Sequence, residues 1–124
     1  MPILTQWLDD ERKFIIQYFQ GPWTIDEYIA TLDEIRQMIE LDDLPLAFIA
    51  KFDRKAHPPS GILKRVKEVY AAMNGPTLPT YIIAPSSIIA VVLDVVRILF
   101  PSSGLHSARS IEEVRQIYRE KGKN

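Results

Sequence analysis

The residue types best suited to chemistry fall in one short stretch: Asp53, Arg54, Lys55, Ala56, His57, Pro58, Pro59, Ser60 and Gly61. It holds a charged pair, one histidine and a serine beside the start of an expected helix. The first amides of a helix lack intrahelical acceptors and carry a partial positive charge, so a phosphate or carboxylate suits Ser60 and Gly61, with Lys55 or His57 assisting. The competing reading is local: Pro58 and Pro59 start the helix, Ser60 helps to cap it, and the charges are solvated. Asp53, His57 and Ser60 also match a hydrolytic triad in kind. His57 precedes two stiff prolines, however, and no Gly-x-Ser-x-Gly turn follows a strand, so no catalytic residue is assigned.

Ser86 and Ser87 form a second candidate anion site at a helix start, although capping alone explains both. Their loop lacks the glycines and lysine of a phosphate-binding loop, which argues against nucleotide hydrolysis. Trp23 stands just before Thr24, the expected helix cap, and Tyr28 falls at the fourth helical position. That spacing suits a hydrophobic staple, with ligand stacking as the alternative. His106 reads as a structural histidine in a short strand. The acidic pairs Asp9-Asp10, Asp42-Asp43 and Glu112-Glu113 lie in turns or at helix starts, and none has a spacing that demands a metal.

The elements that must position these residues follow from periodicity. Residues 3–8 and 13–19, separated by Asp9, Asp10 and Glu11, read as an antiparallel hairpin. Gly21, Pro22 and Trp23 break the second strand. Thr24 with Glu27 forms a capping box, and Ile25, Tyr28, Ile29, Leu32, Ile35 and Ile39 mark one face of a helix over about residues 25–40. Residues 46–50 form an apolar run expected at the sheet centre. A second helix carries Ile62, Leu63, Val66, Val69, Tyr70 and Met73 and stops at Asn74-Gly75. Residues 80–84 form the next strand, residues 86–100 a third helix, residues 105–108 a last short strand, and Ser110 with Glu113 caps a final helix carrying Ile111, Val114, Ile117 and Tyr118. Alternating strands and helices with such short connections require parallel pairing, so the class is α/β, in the order ββαβαβαβα. Ligands in such sheets usually bind where the parallel strands end. That edge is expected to gather Trp23, Thr24, the loop from Asp53 to Ser60, Ser86 and Ser87, with Ser107 to Ser110 as a further candidate.

The third helix is apolar nearly all round, with Asp94 and Arg97 as its only charges. Val91 and Ile98 flank Asp94, so surface left after sheet packing is expected to bury against a second copy, a partner or an acyl chain, or else within the monomer. The stretch is too short to span a membrane.

Composition bounds the rest. With 124 residues the chain is expected to form one domain. Fifteen basic against 16 acidic residues give a net charge of −1, without the broad basic field that nucleic acid requires. The absence of cysteine excludes disulfides, thiolate zinc sites and a cysteine nucleophile, and two histidines leave little room for a metal site. No cofactor is expected. The opening residues have neither a basic n-region nor an apolar h-region, so no secretory leader is expected and the cytoplasm is the expected location.

This succession, with Gly21-x-Trp23-Thr24 opening the first helix and Pro58-Pro59-Ser60-Gly61 opening the second, resembles the STAS-like domains of bacterial anti-sigma-factor antagonists (SpoIIAA-like). In particular it is similar to a small single-domain bacterial branch in which the G-x-W-T turn recurs. The resemblance covers almost the whole chain. It implies a mostly parallel sheet of four or five strands with four helices, no intrinsic catalysis, and regulation by binding a kinase-like anti-sigma factor. Those antagonists carry Asp-Ser-Ser-Gly at the second helix and are phosphorylated on the first serine. Aligned on Gly61, this chain has Pro58 and Pro59 at the first two positions, so the resemblance leaves Ser60, at the second serine, as the residue for a phosphate. The CRAL-TRIO lipid carriers share the topology, which makes a small-ligand or lipid-binding domain at the same edge the alternative function. This chain lacks the helical gate such carriers need.

Overall fold

The first two strands are joined by an acidic turn that the backbone must close without glycine. β1 (Ile3–Trp7) and β2 (Phe14–Phe19) pair antiparallel, Ile3 opposite Phe19 and Trp7 opposite Ile15. At the turn Leu8 N donates to Phe14 O at 2.9 Å, Arg12 N to Asp9 O at 3.3 Å, and Glu11 N to Asp9 Oδ1 at 3.0 Å. Arg12 takes a left-handed φ of 56°, and its guanidinium lies 5.9 Å from the centre of the Trp7 ring, a cation–π contact.

The computed structural model describes residues 3–41, 44–56, 78–85 and 105–122. The expected second and third helices lie outside the described residues, and so do His57, Ser60, Gly61, Ser86, Ser87, Val91, Asp94 and Ile98. After the hairpin come α1 (Ile25–Leu41), β3 (Ala47–Phe52), β4 (Thr80–Ile83), β5 (Leu105–Ser107) and α2 (Ile111–Gly122). The five strands lie in chain order, β1-β2-β3-β4-β5, and every pair after the first is parallel. The chain is thus α/β with a mixed sheet, whose only antiparallel pair among the described residues is the N-terminal hairpin. β3 is its centre, as the apolar run predicts.

β3 starts one residue later and ends two residues later than that run. Lys51 ends the apolar pattern and is exposed, yet Tyr18 pairs with Lys51 and Phe19 with Phe52, so the ladder continues past the charge. Phe52 then stacks on Phe19 with ring centroids 4.3 Å apart.

Side chains alternate across the pleat, and each face has its own cover. On one face Ile3, Phe19, Phe52 and Ile82 pack with Ile25, Tyr28 and Ile29 of α1. On the other, Phe14, Ile16, Ala47, Ile49, Tyr81 and Ile83 pack with Val114, Ile117 and Tyr118 of α2. Tyr118 sets its ring edge-on to Phe14 at 5.3 Å and to Tyr81 at 6.1 Å.

One polar residue interrupts the core under α1. Gln17 is buried in β2, and its side-chain amide donates to Thr31 Oγ1 of α1 at 2.7 Å and to Thr5 Oγ1 of β1 at 3.2 Å. The Thr31 hydroxyl donates in turn to the Tyr28 carbonyl at 2.6 Å. A buried amide without acceptors costs more than its bonds return, so this link ties β1, β2 and α1 into one arrangement. Replacing Thr31→Val keeps shape but removes the deeper acceptor. It should destabilise the protein by about 1–3 kcal/mol, with a smaller loss for Thr5→Val, because Thr5 is itself only half-buried. Equal urea midpoints for the two variants and the parent would contradict this role.

Candidate functional site

Where β2 ends, the chain must turn sharply into α1. Gly21 takes φ +73°, a left-handed conformation that side chains resist, and nothing lies near its missing Cβ. Conformation alone therefore requires glycine there. Thr24 and Glu27 then close the capping box: Glu27 N donates to Thr24 Oγ1 at 3.1 Å, and Thr24 N to Glu27 Oε1 at 3.0 Å. Trp23 and Tyr28 meet at 6.1 Å between centroids, the staple geometry. The second capping box closes in a variant form, with Glu113 N donating to Ser110 Oγ at 3.1 Å while Glu113 Oε2 accepts from Arg109 N at 2.9 Å.

Asp53 joins this turn to the end of β3. Its backbone N–H donates to Phe19 O at 3.0 Å, and its carboxylate Oδ1 accepts from Gly21 N at 3.1 Å and Lys55 N at 2.9 Å. The two strand ends thereby become one rim, with exposed Thr24, Asp53, Arg54 and Lys55 on it and buried Trp23 and Ala56 beneath. Asp53 is therefore an anchor of the rim. The structure brings together Trp23, Thr24, Asp53 and Lys55 of the expected edge.

The sequence reading did not group the aromatic floor of this rim. Phe19 stacks on Phe52, the Trp23 ring meets Phe19 edge-on at 5.0 Å, and Tyr28 lies 6.1 Å from Phe19. The available signal was that both β2 and β3 end in phenylalanine. Burial here pushes the Tyr28 hydroxyl up to about 12. The Trp23 Nε1 donor is buried without a hydrogen-bond partner among the described residues.

At the opposite end of the parallel strands, a cleft of about 250 Å³ opens beside Asp9, Lys13, Phe14, Leu46, Arg115 and Tyr118. Its cations are neutralised within the chain: Arg115 by Asp9 at 3.0 Å, Lys13 by Glu11 at 3.0 Å, and Arg119 by Glu112 at 2.7 Å. His106 is exposed in β5 and stacks on Tyr81 at 5.1 Å. Tyr118 is raised above its ordinary range by burial, then by its hydrogen bond and charge interaction with Tyr81. Among the described residues no cluster of three or more His, Asp or Glu could hold a metal, and no helix is long and apolar enough to cross a membrane.

Compared with known proteins, the chain matches no family model, no curated protein and no solved structure.

Two outcomes follow from this geometry. Asp53→Ala should cost about 1–2 kcal/mol and speed hydrogen exchange at the Gly21 and Lys55 amides; unchanged exchange at both would remove Asp53 as the anchor. The second concerns alkaline pH. Unfolded Tyr28 loses its proton near the ordinary value of 10.0, whereas the folded hydroxyl keeps it to about 12. Stability is thus complete below the unfolded value and is lost as pH rises through the folded one, with Tyr118 acting in the same direction. Tyr28→Phe should flatten that loss in denaturation curves taken across this window, and an unchanged slope would contradict the assignment.

Proposed function

We propose that the chain is a non-enzymatic regulatory domain of the STAS-like type. In this reading the strand-end rim around Thr24, Asp53 and Lys55 is its partner surface. The observation that supports the reading is the sheet: an antiparallel hairpin followed by three parallel strands, matching the mostly parallel sheet of four or five strands that the resemblance implies. A rim held by main-chain and carboxylate bonds supports it further, because a rigid surface loses little freedom on binding. The partner is a kinase-like anti-sigma factor or another signalling protein of the cytoplasm.

Ser60, four residues beyond the rim residue Ala56, is the switch. A kinase-like partner transfers the terminal phosphoryl group of ATP to Ser60 Oγ, and the hydroxyl proton is released as ADP leaves. The phosphoserine brings about −1.5 to −2 charges to the helix start that the sequence predicts there, which such a terminus tolerates, and it changes the charge that the partner meets.

Native mass spectrometry of the protein purified from its own cells tests this reading. The expected spectrum shows phosphate on Ser60, absent from Ser60→Ala, and a stoichiometric complex with the kinase-like protein that Ser60→Asp abolishes. A defined small molecule lost on denaturation, with no phosphate on Ser60, would overturn the reading in favour of a ligand or lipid carrier.

A further inference from the structure

The cleft at the start of the parallel strands is built from pieces of chain remote in sequence. The hairpin turn supplies Asp9, Glu11 and Lys13, and α2 supplies Arg115, Tyr118 and Arg119. Arg115 and Arg119 stand one helical turn apart with Tyr118 between them, so all three side chains reach the same cleft. Its floor is apolar. Phe14 and Tyr118 meet edge-on at 5.3 Å, and beside them Leu46 is 46% exposed while its N–H donates to Lys13 O at 2.7 Å.

The charges around this floor are unequal. Lys13, Arg115 and Arg119 line the cleft against the carboxylates of Asp9 and Glu11, and Glu112 reaches Arg119 from outside the lining. Each arginine is paired through one nitrogen: Arg115 Nη2 with Asp9 Oδ2 at 3.0 Å, and Arg119 Nη1 with Glu112 Oε1 at 2.7 Å. A guanidinium has five N–H donors and grips a carboxylate best with two in parallel, so both arginines can take a further acceptor. The Glu112–Arg119 pair is exposed on both sides, and such a pair contributes little to stability. An anion that also buries apolar surface therefore displaces Glu112 at small cost. Asp9 differs, because its other oxygen accepts from Glu11 N at 3.0 Å, which fixes it where it holds Arg115 across the cleft.

We infer that this cleft binds a small aromatic carboxylate, with the carboxylate on Arg115 and Arg119 and the ring on the floor of Phe14, Leu46 and Tyr118. The volume of about 250 Å³ lies just below the usual range for drug-sized ligands, which sets the size at a single ring. Charge and floor are both required. A bare inorganic anion leaves the apolar wall wet, and a neutral ring leaves the excess cation unmatched. The cleft lies at the opposite end of the sheet from the rim, so its occupancy is independent of the partner reading.

Amide-shift titration of the isotope-labelled full chain with phenylacetate tests this, with phenylacetamide and inorganic phosphate as probes lacking the charge and the ring respectively. Phenylacetate should saturably shift the amides of Lys13, Leu46, Arg115 and Arg119 with a dissociation constant of at most about 1 mM. Each control should bind at least about tenfold more weakly. Arg119→Gln should weaken phenylacetate at least about tenfold, whereas Glu112→Gln, which removes the competing carboxylate, should tighten it about twofold to fivefold. Both positions are exposed, which keeps folding out of the comparison. Absence of saturable shifts at these amides overturns the inference. So does equal binding of phenylacetamide or phosphate, or a phenylacetate affinity indifferent to both substitutions.

Discussion

β2 has to be buried on both sides, and the rest of the molecule is arranged around that requirement. Ile15 and Ile16 are neighbours whose side chains point to opposite faces, and both are completely buried. Each face therefore needs a helix: α1 covers one, and α2 returns from the far end of the chain to cover the other. Sliding β2 by one residue would exchange the faces and move Gln17 away from Thr5 and Thr31. A buried amide has few places where it is satisfied, so the polar link fixes the register that the apolar residues alone leave degenerate.

The same register builds the rim. Phe19 and Phe52 end their strands side by side, and the turn beyond each is tied to the other by Asp53. The aromatic floor, the capping box and the carboxylate anchor all belong to a single corner. The opposite end has a cleft, but its arginines and lysine are occupied by carboxylates of the same chain. The rim presents Thr24, Asp53, Arg54 and Lys55 over a rigid base, and the chain runs on from it into the segment that carries Ser60.

How much of this was readable in advance depended on distance along the chain. The hairpin, both capping boxes and the Trp23–Tyr28 staple depend on residues within a few positions of each other, where residue type and spacing carry the signal. The apolar run around Ile49 marked the central strand for the same reason. The Asp53 anchor joins residues 32 positions apart, Gln17 and Thr31 are 14 apart, and Arg115 reaches Asp9 across 106. Those partners become neighbours only when the strand register is known, and composition does not encode it. Asp53 illustrates the difference: as a residue type it suggested an acid beside His57, whereas in the fold its carboxylate is engaged by backbone amides.

In the proposed reading the strand-end rim is the partner surface. The most direct measurement is an amide-shift titration of the isotope-labelled chain with the kinase-like protein. The account predicts changes concentrated at Gly21, Trp23, Thr24 and the segment from Asp53 to Ala56, with α2 unaffected. Shifts that instead gather along α2 and around Asp9 and Arg115 would contradict it.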